Sequence, residues 1–435
     1  MSHALWERRN VPVFTELKRV KMQTKRVVVT GMGVISPIGL DLESYWTGLR
    51  TGKCGIGPVT LFDASRLACR VAAEAADFNP RDHFEVRMVQ RMARFSQMAV
   101  VAAREAVKNP GLPERLDDLN AAIMLGNCIG GIESQCDAEN KLFEKGPSRI
   151  PAMTAPKMII NEGAGNISID LGVHGPVHTI MTACATGTDA LGHVLDAIRL
   201  GRADLVITGG VEAPLTEFTL GCFCSIKALS TGYNDTPEQA SRPFDKDRDG
   251  FVMGEGAGIL IFESFDHAQK RGAPILAEVA GWGGTGDGYH LTAPKPDAVN
   301  VKRAILMALE DGGLTPADID YINAHGTSTP TNDPVETKGI KDAFGAIDAY
   351  RVKVSSIKGA IGHTLGAAGA LEGIACVKAI QDGFFPPTLH LQNPDPECDL
   401  DYVPNQGVEG DIRAAISLSL GFGGHNSVIA FKKFQ

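Results

Sequence analysis

The stretch IMTACATGTDALGHVLDAIRLG, Ile180 to Gly201, holds two kinds of patterning joined at one residue. Upstream, HGPVHTIMTA is β-branched and punctuated by Gly and Pro, which predicts a short buried strand. Downstream, Leu191, Val194, Leu195 and Ile198 share one helical face, and Gly201 supplies a stop. Cys184 stands at the seam, between alanines and just before Thr186 and Gly187. A strand–cysteine–helix junction places a thiol at a helix N-terminus, where the thiolate is favoured, and aims backbone N–H groups at an oxyanion. A buried, inert cysteine fits the same residues, and this stretch alone leaves both readings open.

Outward from this unit the alternation continues. From Lys25, RVVVTGMG leads into a helical stretch, then AAIMLGN, a helix, HTIMTA, a helix and DLVITGG. Such alternation predicts an α/β architecture with a largely parallel sheet. An internal repeat runs through it. LAEVAGWGGTG (276–286) echoes VVTGMGVISPIG (28–39), and YINAHGTSTP (321–330) takes the place of AIMLGNCIGG (122–131). The segment 352–383 parallels the strand–helix unit around Cys184, and AISLSLGFGGHNSVIAF (415–431) parallels DLVITGGVEAP. Four units in matching order predict two similar halves, 25–275 and 276–435, after an N-terminal extension over 1–24.

The bulk composition sets limits. The 435 residues are 44% hydrophobic and 21% charged, in keeping with an ordinary globular protein. A net charge of −9 argues against nucleic acid and anionic membrane surfaces as partners. No apolar run reaches the roughly 18–20 residues of a spanning helix. Nine cysteines, an odd and scattered set, suggest a reducing cytoplasm rather than a disulfide framework. The first residues are basic without an apolar h-region, and Glu7 and Glu16 with a single Ser argue against a transit peptide.

Two histidines strengthen the nucleophile reading. His325 follows the strand-like DYINA and opens HGTSTP, so it faces the crevice at a strand's carboxyl end. His363 lies in SSIKGAIGHTLGAAG, at the start of the helix that mirrors the Cys184 helix, with Lys358 in the same turn. The glycine motifs carry less. GMGVISPIG puts Ser36 and Pro37 where a dinucleotide fingerprint needs glycine and helix, and GEGAG (254–258) runs into the strand ILIFE. Cys222 and Cys224 form a lone C-x-C without a second ligand pair, so zinc is not expected.

Taken together, TACATG, HGTSTPTNDPVE, KGAIGHTLGAAG and GFGGHN, in this order, resemble the β-ketoacyl-[acyl-carrier-protein] synthases, the elongating (type II) group above all. Residues 228–258 share the likeness, which runs from about Lys25 to the C-terminus. The resemblance implies a thiolase-like fold, a five-layered αβαβα arrangement of two duplicated halves, and a homodimer. It implies an acyltransferase: Cys184 carries an acyl thioester, and malonyl-carrier protein loses carbon dioxide and attacks it. His325 and His363 then donate to the enolate oxygen, Lys358 supports them by fixing the His363 helix start, and Glu336 is a nearby carboxylate. Phe422 is the gate whose amide joins that of Cys184 in the oxyanion hole. Thr292, Thr327 and Thr329 line the channel for the carrier's 4′-phosphopantetheine, and Ile129 closes the acyl pocket near the dimer contact. Asn323, Glu336, Glu372 and Ser417 match a structural Na+ or K+ site, and no other cofactor is required. Initiating synthases carry Asn in place of the second His, and thiolases a second Cys where Phe422 and His425 stand here.

Departures exist. LSLGFGG has Leu418 and Leu420 where the family has Asn and Phe, and IKGAIGH loses a Ser and a Thr near His363. Leu420 alters the acyl-pocket wall, which leaves room for a ketosynthase of a type II polyketide or other specialised pathway. A non-catalytic chain-length factor would lack the nucleophile that is present here. A cysteine hydrolase would need an activating His–Asn/Asp pair.

Overall fold

The computed structural model describes residues 25–117 and 119–435, and the expected extension over 1–24 lies outside them. Ten strands form one sheet. Those of the first half are β1 (Val27–Ile35), β2 (Ala121–Gly126), β3 (Val177–Ile180), β4 (Leu205–Glu212) and β5 (Gly256–Ser264). Those of the second are β6 (Ala277–Gly286), β7 (Tyr321–Asn323), β8 (Lys353–Ser355), β9 (Ala414–Gly421) and β10 (His425–Lys432). Their order across the sheet is β8-β7-β9-β10-β6-β1-β5-β4-β2-β3, so the second half repeats the first strand for strand.

The helices that matter are α1 (Arg94–Lys108), α2 (Glu162–Leu171), α3 (Thr186–Arg199), α4 (Val299–Asp311), α5 (Asn332–Arg351) and α6 (Ala368–Asp382). α3 and α6 lie between the two halves of the sheet and touch strands of both. α1 and α2 cover the outer face of the first half, and α4 and α5 that of the second. These are the five layers of the thiolase-like fold. Twelve of the fifteen residues of α6 are buried, which suits a helix apolar on all sides at the centre of a large core.

Close approach of helix to sheet explains the glycine-rich strands. A Cβ on Gly31 or Gly33 would meet the carbonyl oxygens of Ala106 and Ala102 at 2.1 and 2.0 Å. In the second half, Gly281 and Gly283 stand against Ala308 and Ala304 of α4, each at 2.3 Å. GMG is therefore a seat for a helix, not a phosphate loop.

Two expectations need correction. The sheet is mixed: among the described residues four of its strand pairings are parallel and five antiparallel. β9 and β10 are joined by only Phe422–Gly424, too short for the crossover that a parallel pair needs. β3 is not a buried strand either. It is the outermost strand, with Val177 and His178 exposed, because no described segment covers its free edge. No helix among the described residues is long and apolar enough to cross a membrane.

Candidate active site

Between β3 and α3 the backbone turns sharply, with Ala183 at φ +50°, a region that alanine adopts only under constraint. The turn closes through the amides of Ala185 and Thr186 onto the carbonyls of Thr182 and Ala183, each at 3.1 Å. Cys184 is thereby presented half-buried just before the first turn of α3. The backbone N–H groups of Phe422 and of Cys184 itself lie near enough to the sulfur to favour its charged form. Gly421 permits this approach, since a Cβ there would meet the Thr182 carbonyl oxygen at 2.8 Å. The expected preference for thiolate is overturned. Burial pushes the thiol up to about 11, outweighing the downward pull of Lys358 and the Phe422 amide. The resting nucleophile is a thiol.

His325 and His363 stand edge to face, ring centroids 5.2 Å apart, both almost fully buried. Burial first, then the Lys358 ammonium, holds each imidazole well below its usual pKa, so both are neutral. Hydrogen bonds assign the tautomers. The Leu365 amide donates to His363 Nδ1 at 3.3 Å, and Lys358 Nζ approaches His325 Nδ1 at 3.4 Å. Each ring therefore carries its proton on Nε2. Nε2 of His363 is buried without a hydrogen-bond partner among the described residues, a donor awaiting an acceptor.

Lys358 does not start the His363 helix as expected. Its side chain turns inward to His325 and to a buried ion pair with Glu372. α6 itself begins at Ala368, five residues after His363, behind a short 3₁₀ turn at Leu365–Ala367. Glu336 accepts the amides of His325 at 2.6 Å and Gly326 at 2.8 Å, fixing the turn that carries His325. Burial raises its carboxyl to about 7 against those amides.

The expected cation ligands lie close behind. Asn323 and Ser417 are in register on adjacent strands, and among the described residues Asn323 Oδ1, Ser417 Oγ and Glu372 Oε2 are all buried without a hydrogen-bond partner. Neutral and carboxylate oxygens of this kind suit a hard monovalent cation. Glu336, whose oxygens already accept amides, has no orphaned atom.

A cavity of about 370 Å³ opens onto Cys184, His325 and His363. Thr292, Thr327, Thr329, Leu420 and Phe422 line it. Thr292 is exposed at the rim, while Thr327 and Thr329 share a hydrogen bond of 2.9 Å deeper in. Ile129 does not line this cavity; it belongs to the apolar cluster behind Cys184, with Phe223 and Leu365. Leu418 is buried in the core of the second half and does not line this cavity. Phe422 stacks on Phe223 at 6.2 Å.

Sequence reasoning passed over two groups. Asp287 ties the Thr292 loop to the glycine turn, accepting from Asn426 Nδ2 at 2.8 Å and donating its amide to the Gly424 carbonyl at 2.8 Å. Glu212 is fully buried and accepts the amides of Cys128, Ile129 and Gly366. A carboxylate closing the apolar run LVITGGVE was a visible signal for the second.

Known proteins bear on this arrangement. The profile described as "Beta-ketoacyl synthase, N-terminal domain" matches residues 24–268, and "Beta-ketoacyl synthase, C-terminal domain" matches residues 276–392. The chain is 48% identical over 416 residues to a 3-oxoacyl-[acyl-carrier-protein] synthase 2 of Staphylococcus aureus (strain N315), covering 95% of this chain and 99% of that one. Among solved structures it resembles the ishigamide ketosynthase/chain length factor, at TM-score 0.88 and 38% identity over 95% of this chain and 100% of the other. It also resembles a type II polyketide ketosynthase determined with its acyl-carrier protein, at TM-score 0.85 and 34% identity, covering 95% and 100%. With both family profiles in order along one chain, and a cysteine and two histidines converging on one cavity, this protein belongs to the β-ketoacyl synthase family.

Proposed function

We propose that the protein elongates acyl chains by two carbons as follows. It is a 3-oxoacyl-[acyl-carrier-protein] synthase of the elongating, type 2 kind, an acyltransferase of fatty-acid synthesis. Cys184 Sγ attacks the thioester carbonyl of an acyl carrier protein, the Phe422 and Cys184 amides hold the oxyanion, and the departing phosphopantetheine thiolate takes the thiol proton. A malonyl thioester then enters past Thr292, Thr327 and Thr329. Its carbonyl oxygen accepts from Nε2 of His325 and of His363. The bond to the carboxylate breaks, carbon dioxide leaves, and the electron pair enters the enolate. The enolate carbon attacks the acyl carbonyl on Cys184, and collapse of that adduct expels the thiolate, which is reprotonated.

The observation that carries this reading is the pair of neutral imidazoles presenting Nε2–H beside Cys184. Two donors suit an enolate, whereas a hydrolase would need one of them as a base aimed at the sulfur. Asn323, Glu372 and Ser417, bordered by Glu336, would hold Na+ or K+ in this reading, and the ion would supply a fixed positive charge there. The partners are acyl carrier protein and a second copy of the chain, whose contact would cover the free edge of β3 and Met181, 57% exposed beside it. A cytoplasmic place fits nine unpaired cysteines. Incubation with acyl carrier proteins of C8 to C16 chain length and malonyl-carrier protein tests the activity. Condensation with saturated chains is the expected result. Absence of acyl-enzyme, or acylation persisting in Cys184→Ala, refutes it. Turnover confined to polyketide intermediates favours the specialised pathway.

A further inference from the structure

We infer that Glu212 is a positioning residue that ties the turn behind Cys184 to the orientation of His363. This rests on the decarboxylating reading above. Glu212 ends β4, and its carboxylate is filled by four donors. Oε2 accepts the amides of Cys128 at 2.9 Å and Gly366 at 3.2 Å; Oε1 accepts the Ile129 amide and Asn127 Nδ2, both at 3.1 Å. One side chain thus joins the turn after β2, in the first half, to the segment after His363, in the second.

On the second-half side the connection to His363 is short. Leu365 is held at φ +47°, a conformation its neighbours must impose, and its amide donates to His363 Nδ1. That bond keeps the proton on Nε2. Glu212 anchors the next residue, Gly366, and the junction has no slack: a Cβ on Gly366 would meet Glu212 Oε2 at 2.5 Å and the Cys128 nitrogen at 3.0 Å. On the first-half side, Ile129 shares an apolar cluster with Cys184 and Leu365. A shift of Ile129 within that cluster therefore strains the same carboxylate that anchors the His363 segment. The other half has a counterpart, since Glu336 holds the amides of His325 and Gly326 in the turn after β7. Both its turn and itself lie in one half; Glu212 alone of the two reaches across.

Glu212→Gln keeps the side-chain size but replaces one acceptor oxygen with an amide donor, so at least one anchor is lost. Its two half-reactions separate positioning from scaffolding. Transfer of an acyl group to Cys184, followed by intact-protein mass spectrometry, is expected to stay close to the wild-type rate. Decarboxylation of malonyl-carrier protein by the acyl-enzyme is expected to fall by about 10–100-fold, the usual effect of a misplaced reacting group. Asn127→Ala removes one donor and leaves the backbone anchors, and should shift the same ratio in the same direction by less; it carries the test if Glu212→Gln does not fold. Equal loss of both half-reactions, or an unchanged ratio in the folded variants, overturns the inference. A wild-type protein that acylates but does not decarboxylate refutes the proposed function instead.

Discussion

Replacing Lys358 by Met tests the electrostatics beneath the histidines. Lys358 and Glu372 are each 1% exposed; the pair is made through Glu372 Oε1, and among the described residues Oε2 has no hydrogen-bond partner. Without the ammonium, a buried carboxylate cannot stay charged and takes up a proton. Protonating a carboxyl of ordinary pKa about 4.3 at pH 7.5 costs about 1.4 kcal/mol per pH unit, or about 4 kcal/mol. That agrees with the roughly 3–5 kcal/mol seen when one partner of a buried pair is removed. Burial already raises the Glu372 carboxyl against the pull of Lys358, and without the ammonium its folded-state pKa lies further above the unfolded value. The stabilising protonated form is therefore fully present below about pH 4.3 and the stability is lost as pH rises, so the penalty should shrink to about 1 kcal/mol at pH 5.0. Urea unfolding of wild type and Lys358→Met at pH 5.0 and 7.5 measures the difference. The double variant Lys358→Met/Glu372→Met should recover most of the stability without recovering decarboxylation, because His325 Nδ1 no longer faces an ammonium. A penalty below 1 kcal/mol at pH 7.5, or one equal at both pH values, would refute the reasoning.

Three further outcomes are expected. His363→Ala should keep acyl transfer to Cys184 and slow decarboxylation by about 10²–10³, the effect of losing one oxyanion donor; single-turnover assays of each half-reaction decide it. Because burial pushes the Cys184 thiol up to about 11, its alkylation rate by iodoacetamide should climb about tenfold per pH unit from 7 to 10, and a plateau near neutrality would contradict the balance described. Leu420→Phe narrows the cavity wall and should move acyl preference toward shorter chains, read from competition among C8 to C16 carrier substrates.

Much of this protein was legible in its residues. The apolar runs of β1, β4 and β5 and the four matching units name the strands and their order of repetition, because burial on both faces writes itself as uninterrupted hydrophobic sequence. His325 just past a strand, and Cys184 and His363 in turns ahead of helices, are legible from local pattern alone. Other features arise only when the halves meet. The target of Lys358, the tautomers of both histidines and the four bonds of Glu212 depend on atoms separated along the chain by as many as 154 residues. The sign of the Cys184 shift is likewise decided by desolvation, which exists only once the cavity walls have closed around the sulfur, against the pull of Lys358 and the Phe422 amide, both from the second half. Sequence thus singled out the residues proposed to carry the chemistry; packing of the two halves decided how they are paired and which protons they hold.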